Sequence, residues 1–353
     1  MTTFLATVFV LGVLIFFHEL GHFLAAKRAG IRVDRFSLGF PPSLIKKKIG
    51  ETEYCIGVIP LGGYVKMAGE TPGEETSGAP DEFMSKSAGT RSLVVVAGPL
   101  MNFVFAWLIL WGVFFFRGEE SVDPDYAIIG FVVPGSPAEQ AGLLPGDTIT
   151  AINGRPVVGF PSVAEQISSQ LEKAVTISWR RGGRDFETTI TTYEEKAFNE
   201  KGEKISIGMI GIGQQVLTRK LGIIVAAARG AEMTVKFSGM VFTFIHDLAA
   251  RKVSPKMIGG PVFIAQMAGE VAETGFTTLL VFMALLSVNL AVLNILPIPV
   301  LDGGHLVFLL IEKIKGKPLT IGQRALAQQI GFVFLLVIII MVTYNDIVRV
   351  FFS

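Results

Sequence analysis

A single cysteine, Cys55, in 353 residues leaves no partner for an internal disulfide and argues against a thiolate metal site; its ordinary reading is a small semi-buried side chain. Charge is scarce as well. Asp, Glu, Lys and Arg make up 17% of the chain and nearly cancel, to a formal net charge of +1. No soluble stretch joins a basic block to interleaved aromatics, so nothing argues for nucleic acid as a partner. Histidine occurs only four times, which leaves imidazole chemistry few candidates. What the chain has in excess is apolar surface: 50% hydrophobic residues and a mean hydropathy of +0.55, too apolar for an ordinary soluble protein.

That excess is unevenly placed. Four stretches lack acidic and basic residues for about the 20 residues that a bilayer crossing needs: Thr2 to Phe17, prolonged by His18 to Ala26; Ser92 to Phe116; Thr274 to Leu301; and Ala325 to Asn345. They read as four spanning helices. The first has no basic residue ahead of its apolar run and no small-residue cleavage site before His18, so it reads as retained. Lys27, Arg28, Arg32, Arg35 and Lys46 to Lys48 follow the first stretch, Lys86 and Arg91 precede the second, and Lys313, Lys315, Lys317 and Arg324 separate the last two. The positive-inside bias puts these segments in the cytoplasm, and both termini and the long segment after Arg117 on the other side.

Between the first two spans, Ile31 to Met67 has strand character with Pro60, Gly62 and Gly63 as turn residues, predicting a hairpin-like sheet. Glu70 to Ser87 reads as a solvated loop. From about Ser121 to Glu195 the composition is that of a soluble module: strands at Ile128 to Val133 and Thr148 to Ile152, a turn at Asn153-Gly154, a helix at Ser162 to Gln170, and a hairpin around Arg181-Gly182-Gly183. Leu221 to Ala250 is apolar but carries Arg229, Glu232, Lys236, His246 and Asp247, and reads as a surface-lying or brace helix rather than a fifth span. The expected division is a membrane part over 1–120, a module over 121–195, a connection over 196–273 and a second membrane part over 274–353.

The first span contains His18-Glu19-Leu20-Gly21-His22. Residues four apart share one helix face, so both imidazoles can converge on one ion, with Glu19 one step round facing the water. Ionisable groups in a bilayer cost roughly 2.5–3.5 kcal/mol each on the lenient scale, and a bound ion would offset that. Catalytic zinc usually has three protein ligands. Among acids in apolar surroundings the candidates reduce to Asp302, next to His305, after Asn294-Ile295-Leu296-Pro297-Ile298-Pro299-Val300-Leu301 and before Gly303-Gly304. Spacing alone leaves His305 open as a ligand. The two prolines stop the third helix, and the glycine pair permits close backbone approach. Asn102, after Gly98-Pro99, reads as structural or site-lining.

These motifs, with Phe36-Ser37-Leu38-Gly39-Phe40, Gly62 to Met67 and Gly98 to Phe103, resemble the site-2 protease family, in its bacterial RseP-type form of intramembrane zinc metalloproteases. The resemblance runs nearly end to end. It implies Zn2+ on His18, His22 and Asp302, Glu19 as general base, and Asn289 and Asn294 holding an unwound substrate, with His305 not a ligand. It also implies pairing of the Tyr64, Val65 and Lys66 strand with that substrate. Gly130 to Ala138 and Gly146 to Gly154 look like a PDZ domain of the circularly permuted bacterial kind, whose peptide groove would involve Ile128, Gly130 and Phe131. The expected fold class is a polytopic α-helical membrane protein with four transmembrane helices, a membrane-associated β-hairpin sheet and an inserted mixed α/β PDZ domain. The expected location is the bacterial cytoplasmic (inner) membrane. Expected partners are the lipid bilayer and single-span transmembrane substrates, such as anti-sigma factors or remnant signal peptides. Oligomeric state is not legible. Two rival classes are a membrane-anchored PDZ scaffold with a vestigial metal site, against which intact Glu19 and Asp302 speak, and a transporter or haem protein. Haem ligation wants ligands on opposite faces of a ring, whereas His18 and His22 project the same way.

Overall fold

The computed structural model of the chain describes residues 2–70, 78–198 and 204–352, in two compact units: residues 1–115 with 222–353, and residues 116–221. Part of the expected Glu70 to Ser87 loop, residues 71–77, lies outside the described residues. Its later part is not all solvated, since Glu82 and Phe83 are buried and the Phe83 N–H donates to the Ala68 carbonyl.

The chain opens with helix α1 (Thr2–Arg28). Its end is set by Gly30, which takes a left-handed φ of 64°. There the Ile31 N–H reaches the Ala26 carbonyl and the Gly30 N–H the Lys27 carbonyl, the paired bonds of a Schellman stop. Ile31 and Ala26 are buried in one cluster, the apolar contact that accompanies such a stop. Strands β1 (Val33–Ile49) and β2 (Thr52–Met67) then form an antiparallel two-stranded sheet in which each strand also bends back. Phe36 thus lies opposite both Val65 and Tyr54, and Ser37 opposite both Tyr64 and Cys55. Gly63 to Met67 pair only with Val33 to Leu38, which leaves this segment as an edge. Phe36 packs edge-on against Phe16 and Phe23, pinning the sheet to α1.

Helix α2 (Ala88–Arg117) contains Pro99. Arg91, read from sequence as a topology-setting cation, is buried and forks onto Glu312, which also lies 3.7 Å from Arg324. Removing one partner of such a buried pair typically costs about 3–5 kcal/mol.

The second unit begins with β3 (Glu119–Val122) and β4 (Ala127–Val132). It continues through α3 (Pro137–Gln140), β5 (Thr148–Ile152), β6 (Arg155–Pro156), α4 (Gly159–Ser168), β7 (Ala174–Arg181) and β8 (Arg184–Thr191). It closes with β9 (Tyr193–Phe198), β10 (Lys204–Met209), β11 (Ile212–Gln214) and β12 (Val216–Arg219). The main sheet has the order β11-β4-β5-β7-β8, with β6 on β5. Alternate residues Ile149, Ile152, Val175, Ile177 and Trp179 fill its core with Val163 and Ile167 of α4. The expected boundary at 195 is too early: β11 returns after the β9–β10 hairpin to complete this sheet, and the unit runs to residue 221.

Back in the first unit come α5 (Ile223–Ala249), α6 (Pro261–Thr274), α7 (Phe276–Ile295), α8 (Asp302–Lys315) and α9 (Ile321–Phe352). α5 is a brace. Met233, Phe237, Val241 and Ile245 pack on Ala106 and Leu110 of α2 and on Ala284, Val288 and Val292 of α7, while Arg229 and Glu232 pair on its exposed side. α6, unforeseen from sequence, starts under a carboxylate from another helix: Asp346 of α9 accepts from the Gly260 and Phe263 N–H groups. Among the described residues, α1, α2, α7 and α9 are long and apolar enough to cross a membrane, in line with the four expected spans. The fold class is as expected, a polytopic helical membrane protein with a β sheet and an inserted mixed α/β module.

Candidate metal centre

His18 and His22 are buried on one face of α1, as their four-residue spacing requires. The third group arrives because the expected third span does not continue to Leu301. α7 ends at Ile295, and residues 296–301 turn back through short bonds, Ile298 N–H to the Leu296 carbonyl and Leu301 N–H to that of Ile298. α8 then begins with Asp302 in its first turn, where a helix N-terminus favours negative charge. The glycine pair is needed for this fold-back. A Cβ on Gly303 would lie 2.1 Å from the Ile295 carbonyl oxygen, and one on Gly304 2.3 Å from that of Ile298.

Nε2 of His18 lies 3.2 Å from Asp302 Oδ2, Nε2 of His22 lies 3.6 Å from Oδ1, and the two Nε2 atoms are 3.3 Å apart. Ligands about 2.0–2.1 Å from zinc at tetrahedral angles are about 3.3 Å from one another. The spacing therefore fits a shared ion, and so does the chemistry: Asp302 Oδ2 is buried with no hydrogen-bond partner. Nδ1 of His22 donates to the Val94 carbonyl at 2.9 Å, which leaves its Nε2 lone pair free for a metal. That carbonyl belongs to the turn of α2 loosened by Pro99, which has no N–H to return to Val95.

Glu19 stands one step round the helix, half-buried. Its carboxylate receives the Val65 N–H, and its Cγ lies so close to the Gly63 backbone that a Cβ there would meet it at 3.0 Å. The edge segment of β2 is thus held directly against the candidate base. The Tyr64 hydroxyl points elsewhere, accepting from Arg35. Asn294 Nδ2 lies 3.4 Å from His18 Nε2. Asn289 is half-buried on α7, five residues before Asn294, and makes no side-chain hydrogen bond to the described residues of the cluster. His305 is not among the three convergent groups; it lines a small cavity with Glu70, Arg91, Arg324 and Gln328. Burial pushes the His305 imidazole below its ordinary pKa and the Glu70 carboxyl above its own. Asn102, placed only loosely from sequence, is fully buried with Nδ2 3.2 Å from His18 Nδ1.

The expected peptide groove of the second unit is not open. β4 is an interior strand, paired with β5 at Ala127 and Ile128 and with β11 at Ile129, Phe131 and Val132. The Gln215 N–H takes the Ile128 carbonyl, and a Cβ on Gly130 would lie 2.3 Å from the Gln214 carbonyl oxygen. A peptide adding as a strand finds no unpaired edge at Ile128, Gly130 and Phe131. The chain's own β11 occupies it.

The pattern of Peptidase family M50 matches residues 6–338. The regulator of sigma-W protease RasP of Bacillus subtilis (strain 168) is 32% identical, over 99% of both chains. The zinc metalloprotease RasP of Bacillus licheniformis is 31% identical, over 99% of this chain and 100% of its own. A chain of Rhizobium meliloti (strain 1021) is 34% identical over 96% of this chain and 94% of its own. A donor set spaced for zinc on membrane-length helices, matched along the whole chain, has one account: the protein belongs to peptidase family M50, the site-2 protease family of zinc metalloproteases.

Proposed function

We propose that the chain hydrolyses peptide bonds inside the transmembrane segments of single-span proteins, with zinc held by His18, His22 and Asp302 and with Glu19 as general base. The observation that carries this reading is the convergence of three donor groups 3.2–3.6 Å apart on and beside spanning helices, with Glu19 against the edge strand segment of β2. Zinc bound there would supply an acidified water, of pKa about 7, and polarise the scissile carbonyl. Glu19 takes a proton from the attacking water as the C–O bond forms, and passes it to the nitrogen as the C–N bond breaks.

A helical substrate hides its amides in its own hydrogen bonds, so a stretch must be unwound before attack. The Gly63 to Met67 edge, with Tyr64, Val65 and Lys66, lies along one side of its sheet and beside Glu19, the position strand addition requires. Asn294 offers a side-chain amide beside His18, and Asn289, with no side-chain bond of its own among the described residues, offers another. Next to the edge, α1 and the β1–β2 sheet line an open apolar pocket of about 460 Å³, with Val8, Gly12, Val13, Phe16, Phe17 and Leu38 among its walls, suited to apolar substrate side chains.

The enzyme sits in the bacterial inner membrane, with the basic segments beside α1, α2 and α8 cytoplasmic and both termini outside. Anti-sigma factors and remnant signal peptides are the substrate types, in keeping with a relative named a regulator of sigma-W protease. The inserted module is a PDZ-type filter on access.

Purified protein reconstituted with a single-span substrate tests the proposal. Glu19→Gln is expected to keep zinc and lose cleavage, whereas His22→Ala and Asp302→Ala lose both. Cleavage at the parental rate in the presence of a strong chelator would end the metal mechanism.

A further inference from the structure

We infer that Asn102 is a positioning residue for the metal, selecting the His18 tautomer that can bind it. The inference rests on the zinc site proposed above. An imidazole has two nitrogens and, when neutral, one proton. His18 presents Nε2 to Asp302 and His22, so binding through Nε2 requires the proton to be on Nδ1. The proton then needs an acceptor. For His22 the Val94 carbonyl supplies it. For His18, the side chain facing Nδ1 is that of Asn102, 3.2 Å away.

Asn102 has no other evident use for its amide. The residue is fully buried, and a buried amide without partners costs on the order of 1–3 kcal/mol. Its Oδ1 is one of the few buried side-chain polar atoms without a hydrogen bond, and among the described residues the side chain has one partner, His18. The link between α2 and α7 at this level uses the backbone instead, the Ser287 hydroxyl donating to the Asn102 carbonyl. A pure packing role would be served as well by leucine.

An amide carries a donor and an acceptor of nearly equal size, and half a turn about Cβ–Cγ exchanges them. With Nδ2 toward the ring, Nδ1 must be the acceptor and Nε2 keeps the proton, which blocks the metal. With Oδ1 toward the ring, the Nδ1–H is held and the Nε2 lone pair faces Asp302 and His22. The metal-binding arrangement is therefore Nδ1–H to Oδ1, an outer partner of the kind that orients and tunes histidine ligands. Pro99 and Gly98 contribute indirectly. Across a little more than two turns, α2 delivers the Val94 carbonyl to one histidine and Asn102 to the other.

Two substitutions give opposite expectations. Asn102→Leu keeps the volume and removes the acceptor. Asn102→Asp keeps only acceptors, so it serves the Nδ1–H and cannot donate. Zinc affinity of the full-length protein in detergent, measured by competition with a chromogenic chelator, is the reading. The visible spectrum of the cobalt-substituted protein reports how the ligands are held. Asn102→Leu is expected to weaken zinc binding by about 10–100-fold and to alter the cobalt bands, and Asn102→Asp to bind within about tenfold of the parent with parental bands. Parent-like affinity in a folded Asn102→Leu protein overturns the inference. So does a loss of about tenfold or more in a folded Asn102→Asp protein, which decides the matter alone if the leucine variant does not fold. Failure of the parent itself to bind zinc would count against the metal site, not against the role of Asn102 within it.

Discussion

Replacing Gly98 by alanine is the sharpest available perturbation of the centre, because one methyl group meets one proposed ligand. A Cβ built on Gly98 lies 2.2 Å from His22 Nε2, 2.6 Å from Cε1 and 2.8 Å from Cδ2. Ordinary contact begins near 3.4 Å, so the ring edge or the α2 backbone must give by about 1.2 Å. The ring cannot swing away freely, since its Nδ1 is tied to the Val94 carbonyl one turn earlier on the same helix. Metal sites tolerate ligand errors of about 0.2 Å. The shift demanded is several times that, and it falls on the atom proposed to ligate. We expect zinc affinity to drop by at least about 100-fold, beyond the 10–100-fold typical for loss of an outer partner, and cleavage to fall with it. Helix weakening is not a rival cause, because alanine in a helix interior is favoured over glycine by roughly 0.5–1 kcal/mol. Gly12→Ala on α1 is the matched control, with nothing within 4 Å of its Cβ. Bound zinc would be counted by mass spectrometry after competition with a chelator, and helicity by circular dichroism. A Gly98→Ala protein with parental zinc affinity would refute both the ligand role of His22 and the tightness ascribed to the α1–α2 crossing.

The same open space at Gly12 allows a test of the apolar cavity: Gly12→Phe should lower kcat/KM for a single-span substrate by about tenfold or more by filling it, with zinc content unchanged. Unchanged kcat/KM would dissociate the cavity from substrate binding. In the second unit, Asp147 is buried, which by itself pushes its carboxyl up. Arg181 at 2.6 and 2.7 Å and the Leu144 N–H at 2.8 Å outweigh that, holding it below the usual carboxylate range. A depressed folded pKa contributes stability that is present above the unfolded value, about 3.9, and is lost as pH falls through the folded one. Asp147→Asn should therefore destabilise the unit by about 2 kcal/mol near pH 7 and by progressively less below pH about 4. Melts followed by Trp179 fluorescence, with Trp107 and Trp111 replaced by Phe, would read this. A gap independent of pH would contradict the assignment.

Local signals were legible and distant ones were not. His18, Glu19 and His22 could be placed because an i, i+4 pattern within an apolar run carries its own geometry. Asp302 could be nominated because Pro297, Pro299, Gly303 and Gly304 announce a broken helix, although only the fold separates it from His305, which turns into another cavity. The return of β11 to the side of β4 was not readable. Three residues, Ile212 to Gln214, have too little pattern to declare a partner some 80 positions away, so the sequence ends the module early and shows β4 as an open groove. Arg91 illustrates the same limit. With Lys86 just ahead of the second span it reads as a topology signal, while its partner Glu312 lies more than 200 residues on. The start of α6 was hidden because its cap comes from Asp346 of α9 rather than from a local Ser, Thr, Asp or Asn.

The centre depends on departures from regular helix more than on the motif that first draws notice. Two histidines on one face of a continuous helix define a line of ligands, and a third group must approach from outside that face. An acidic side chain in the middle of a regular spanning helix would carry its charge into lipid or into apolar packing at a cost of several kcal/mol. Ending α7 at Ile295 and restarting at Asp302 solves both problems. It brings the carboxylate in from the side, and it seats it at a new helix N-terminus whose free N–H groups favour a negative charge. Pro99 does the corresponding work in α2, loosening the turn whose Val94 carbonyl fixes His22. An irregular backbone at membrane depth is tolerated only where it is buried in protein or lines a polar cavity. Both irregularities end on α1: the Val94 carbonyl meets His22, and the Asp302 carboxylate meets His18 and His22, so the polar groups each exposes find partners within the protein.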